Sequence, residues 1–104
     1  MRKSLRPVID AFLLQQPKKI TNTESTGDKL YLHGNCIAKW IKGEIYISNG
    51  GYRLSVTTKD RLNGLGANIS TKKGINYFRG IEWDGKWINI NHKPEIKQEK
   101  QTLF

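Results

Sequence analysis

The chain has 104 residues, with 18 Lys and Arg against 9 Asp and Glu, for a formal charge of +9. That length allows one small domain with a modest core, and the three Trp, four Tyr and three Phe are the side chains best able to fill it. Cys36 is the single cysteine, which excludes an intramolecular disulfide and a Cys-rich zinc site. No apolar run approaches the roughly 20 residues of a membrane span.

The start, MRKSLRPVIDAFLLQQP, places basic residues before an apolar run. Asp10 interrupts that run and no small-residue cleavage site follows, so it reads as a helix rather than a secretory leader. Ser4 can cap it, Pro7 suits its first turn, and Val8, Ile9, Phe12 and Leu13 form an apolar stripe at helical spacing. Pro17 is expected to end it. Residues 1–17 thus read as a helical arm, followed by a polar, flexible connector over 18–28, KITNTESTGD after Lys18.

From Lys29 the pattern becomes one of short β runs separated by glycine turns: KLYLH, Gly34-Asn35 turn, CIAKWI, Lys42-Gly43 turn, EIYIS, Asn49-Gly50-Gly51 turn, YRLSV. Ile45 and Ile47 share one face of their strand, with Glu44, Tyr46 and Ser48 on the other. Thr57 stands three residues before Asp60, as in a capping box, and Thr58 is a competing cap. A short helix is expected from there to about Leu65, with Leu62 and Leu65 facing the sheet and Gly64 or Gly66 stopping it.

Two further hairpins follow, NISTKKGINYFRG around Lys73-Gly74 and IEWDGKWINI around Asp84-Gly85. The charged end, 91–104, is expected to fray. Together these elements predict an α+β fold: a small antiparallel meander over 29–90, one short capped helix after the central hairpin, and the N-terminal helix.

Candidate chemistry is sparse. His33 and Cys36 read as a hairpin position and a small core thiol, and His92 as a tail side chain. There is no Walker A loop and no GxGxxG fingerprint. The expectation is a protein without catalytic residues, metal or cofactor.

The charge balance suits attraction to phosphate polyanions, although an AT-rich coding sequence also enriches lysine. Tyr52, Arg53, Thr58, Lys59 and Arg61 gather where the strand meets the helix start, whose free amides favour a phosphate. Lys72 and Lys73 form a second basic cluster at a hairpin tip, where Tyr77 or Phe78, if outward, could stack on unpaired bases. The structural alternative is that Thr57 only caps, Lys59 and Arg61 are a solvated face, and Tyr52 is core.

The runs LHGNCIAKW, IYISNGGYRLSVTTKDRLNGL and GIEWDGKWINI resemble a family of small bacteriophage and mobile-element proteins, chiefly through SNGGY and TTKxRLN. The resemblance spans about residues 29–90 and, more loosely, the N-terminal helix. No activity is assigned to that family, so the resemblance implies a bacterial host cytoplasm or a virion rather than a mechanism. The leading expectation is a non-enzymatic accessory protein that binds nucleic acid through its phosphates. The alternative is an interaction module, such as an inhibitor of a host or defence protein or a minor virion component, docking through Val8, Ile9, Phe12 and Leu13 or a sheet edge. Self-association through the same stripe is a third route.

Overall fold

The structure is a computed structural model that describes residues 5–51 and 54–91. It has the α+β architecture expected. Helix α1 (Arg6–Leu13) is followed by five strands, β1 (Pro17–Ile20), β2 (Thr23–Thr26), β3 (Lys29–Leu32), β4 (Asn35–Ile41) and β5 (Glu44–Ile47). Helix α2 (Val56–Gly64) then leads into β6 (Ile69–Lys72), β7 (Ile75–Phe78), β8 (Ile81–Glu82) and β9 (Ile88–Asn89). Strands order as β1-β2-β3-β4-β5-β9 in one sheet and β6-β7-β8 in a second, all antiparallel.

The apolar stripe of α1 is core. Val8, Ile9 and Phe12 are fully buried and Leu13 packs beside them, against Leu30, Leu32, Ala38 and Ile47 of the large sheet. The helix ends before Pro17. Gln15 takes a positive φ of 57°, Gln15 N donates to Phe12 O and Gln16 N to Ala11 O, the paired bonds of a Schellman ending. Trp40 then satisfies a carbonyl of the last turn, its indole Nε1 donating to Phe12 O at 2.9 Å while its ring lies 6.0 Å from that of Phe12. Ser4, the expected cap, lies outside the described residues.

The polar segment 18–28 is not a connector. It forms β1 and β2, pairing Lys18 with Ser25 and Lys19 with Glu24, so α1 is joined to the sheet rather than tethered beside it. The inward residues here are Thr23 and Ser25, both buried, and their hydroxyls are provided for: Thr23 donates to Asn22 Oδ1 and Ser25 to Gln16 O. Pro17 and the two lysines sit on the outermost strand, where a missing N–H and exposed charge discourage pairing with another chain.

The X-Gly turns are mostly as the sequence suggests. Lys42-Gly43 and Lys73-Gly74 each take two positive φ angles, 49° and 80°, and 52° and 80°, as tight hairpins require. The β3–β4 turn is centred on His33-Gly34, one residue earlier than expected, and an unforeseen Arg79-Gly80 turn joins β7 to β8.

Two hairpins are absent among the described residues. Leu54 and Ser55 are irregular and Val56 already belongs to α2, so no strand follows β5 there. Asp84-Gly85 does not join partners either. β8 pairs with β7 and β9 with β5, so 83–87 is a strap crossing from the small sheet to the large one. Trp83 holds one end of it, buried on Phe78 with Nε1 donating to Lys86 O; Asn49 N clasps the middle through Gly85 O.

Glycine at 85 is required twice over. Its φ is +89°, and a Cβ there would fall on the Asn49 side-chain amide, whereas Gly43, at +80°, has open space around it. Gly85→Ala should therefore cost about 2–3 kcal/mol and Gly43→Ala about 1 kcal/mol, as read from urea midpoints at unchanged m-value.

Candidate functional site

The helix-start cluster is built for structure. Ser55, not Thr57 or Thr58, is the N-cap of α2, its Oγ accepting from Thr58 N at 3.1 Å and lying 3.0 Å from Thr58 Oγ1. Thr58 is fully buried. Arg61 is 4% exposed, its Nε donating to Thr23 Oγ1 and its Nη1 to Asp60 Oδ2 at 3.0 Å, so the guanidinium bridges α2 to β2. Neither offers itself to a phosphate. Lys59 Nζ donates to Thr71 Oγ1 at 3.0 Å, which ties α2 to β6.

Lys72 and Lys73 are exposed at the β6–β7 tip, but Phe78 is buried and Tyr77 half-buried, so the tip has no outward aromatic pair. Tyr52 and Arg53 lie outside the described residues. The docking stripe of the interaction alternative, Val8, Ile9, Phe12 and Leu13, is occupied by the protein's own sheet.

The arrangement the sequence did not reveal is the outer face of the large sheet. Both helices and the small sheet contribute to one core on the inner face, through Phe12, Leu62, Ile69 and Phe78. Alternation then sends a different set outward. Tyr31 stands opposite Glu24 and Cys36, and Glu24 opposite Lys19, giving one row across four strands. Lys29 stands opposite Lys39, Lys39 opposite Tyr46, and Tyr46 opposite Asn89, giving a second. Trp87, 42% exposed, flanks this second row with the Lys39 ammonium 4.1 Å from its ring centroid.

A bulge makes this pattern. The register shifts between Leu30 and Tyr31, so Ile37 and Ala38 both reach the core. Lys39 emerges on the same side as Lys29. Two lysines directly opposite in a ladder repel one another, and no carboxylate lies across from either of them. The two acidic residues of the face are placed otherwise: Glu24 pairs across from Lys19, and Glu44 accepts from Asn89 Nδ2 at 2.6 Å.

Cys36 shares this face, half-buried across from Tyr31. Burial raises its thiol above the ordinary value, outweighing the backbone and the nearby charges of Lys39 and Lys29, which pull it down. It is therefore a thiol at neutral pH, as a small packing residue is, and not an activated nucleophile. Among the described residues, no group of three or more His, Cys, Asp and Glu side chains could hold a metal ion. No described helix is long and apolar enough to cross a membrane.

Fold and site together define a small basic α+β protein with one lysine- and tyrosine-bearing sheet face left uncovered by its described helices. Over residues 1–99 the chain matches the family model described as Kyanoviridae Gp96 protein, and it belongs to that phage protein family. No curated protein and no solved structure matches it. The phage association expected from the motif runs stands at that level.

Two outcomes test this geometry. Arg61→Ala should lower stability by about 1–3 kcal/mol, because it strands hydrogen-bonding groups in the interior; Lys72→Ala, on an exposed tip, should move it by no more than about 0.5 kcal/mol. For Cys36, the folded pKa lies above the unfolded one, so the folded state keeps a proton that the unfolded chain gives up. Its stabilising contribution is complete below the ordinary thiol value and is lost as pH rises through the folded value. Iodoacetamide should accordingly alkylate the native thiol more slowly than the urea-unfolded one, with the ratio of the two rates narrowing as pH rises from the ordinary thiol value through the folded one.

Proposed function

We propose that this phage protein is a non-enzymatic accessory that binds nucleic acid through the phosphate backbone, with the outer face of the six-stranded sheet as its contact surface. The observation that carries this reading is the opposed pair Lys29 and Lys39, held in register beside Tyr46. For the fold alone the pair is a liability. For a polyanion it is a fixed two-point cationic site, with Lys19 on the adjoining row. The overall charge of +9 adds long-range attraction of the right sign.

This reading keeps the expected partner and moves the contact surface. Phosphates engage Lys29, Lys39 and Lys19 instead of the buried Arg61 and Thr58. The protein-docking alternative loses its principal surface, since the α1 stripe is core.

The experiment is fluorescence anisotropy with labelled nucleic acid over a salt series. Lys29→Thr with Lys39→Thr should weaken binding about tenfold or more and reduce the steepness of log K against log salt by about 1.4–1.8, the share of two phosphate contacts. The same pair of changes should leave the fold as stable or more so, by removing the repulsion. Lys72→Thr with Lys73→Asn, which keeps the positive φ of the turn, is the matched control. If the control weakens binding as much as the sheet-face pair does, the sheet face is not the site.

A further inference from the structure

Resting on the reading above, we infer that the preferred ligand is single-stranded nucleic acid, with bases stacked on Tyr31, Tyr46 and Trp87. In strand order the three rings stand on β3, on β5 and just before β9, so Tyr46 lies between the other two. Adjacent strands are about 4.8 Å apart, which separates the β3 and β5 positions by about 10 Å.

Tyr46 and Trp87 each have a cation directly beside them, while Tyr31 stands across from Glu24 and Cys36. Lys29 and Lys39 continue the row of Tyr46, Lys39 covers one side of Trp87, and Lys19 lies two strands from Tyr31 in its row. Each end of the face also opens into a depression. One, of about 390 Å³, is lined by Lys19, Asn22, Glu24, Tyr31 and His33. The other, of about 600 Å³, is lined by Ser48, Asn49, Asp84, Lys86 and Trp87.

Aromatic rings and lysines sharing one face of an antiparallel sheet match the chemistry of an unpaired strand, whose bases are free to stack while its phosphates take the lysines. A duplex offers this face only its phosphates, because its bases are already stacked on one another. The aromatics are also hard to assign to folding: Tyr31, Tyr46 and Trp87 are outside the buried core, where Phe12, Phe78 and Trp83 already serve. A base on Trp87 takes the ring side opposite the Lys39 ammonium.

The test compares labelled oligo(dT) with a mixed-sequence duplex of equal length, using the full-length protein at fixed salt. Oligo(dT) should bind about tenfold more tightly than the duplex, and Tyr46→Leu should remove about tenfold from oligo(dT) affinity while leaving the duplex unaffected. Oligo(dT) should also quench the intrinsic tryptophan emission of the native protein, and Trp87→Phe should abolish that quench, with circular dichroism checking that each variant is folded. Equal or tighter duplex binding, with no loss in Tyr46→Leu and no quench traceable to Trp87, overturns stacking and leaves phosphate binding standing. Binding to neither polymer overturns both readings.

Discussion

A helix of eight residues does not hold its shape in water, because nucleation costs more than so few bonds return. What holds α1 is the inner face of the large sheet: Val8, Ile9 and Phe12 are buried against it, and the Trp40 indole takes up the Phe12 carbonyl where the ladder runs out. The sheet needs the helix in return, since Leu30, Leu32 and Ile47 would otherwise face solvent. Other joints secure the same layer. Arg6 Nη1 donates to Gly64 O at the end of α2, Arg61 reaches Thr23 on β2, and Asn63 holds Ile69 through both its backbone N–H and its carbonyl. With two short helices and a three-stranded sheet all spent on one side, the other side of the large sheet keeps its polar and aromatic residues.

Much of the fold is legible from local chemistry. Lys42-Gly43 and Lys73-Gly74 announce their hairpins because a polar residue and a glycine punctuate two β runs, and the helix stripe of α1 is plain in its spacing. Reading fails where a local signal has a tertiary meaning. β1 and β2 hide because Thr23 and Ser25 point inward with their hydroxyls bonded, so the usual apolar alternation is missing. Asp84-Gly85 is a true turn, yet the strands on either side of it belong to different sheets, and no dipeptide encodes that.

The candidate site was obscured for a related reason. Arg61 looks like an exposed cation in a polar helix, but an arginine able to reach a neighbouring strand can be buried once its donors are occupied. Alternation shows that Lys29, Tyr31 and Tyr46 fall on one side of their strands. It does not show which side the helices will cover, nor that Lys39 stands across from Lys29. That opposition depends on a register containing an extra residue, and β-bulges leave little trace in a single sequence.

The bulge at Ile37 also divides the chain into segments of unequal evolutionary freedom. Loss or gain of one codon in an exposed loop changes only the loop. In β4 the outcome depends on where it falls: loss of Ile37 would only remove the bulge and leave Lys39 outward, whereas one residue gained at a regular position would turn Lys39 into the oily layer and Trp40 into water. The extra residue works as a phase marker for the sheet, and drift in this gene should proceed by substitution within the strands and by insertion or deletion in the loops.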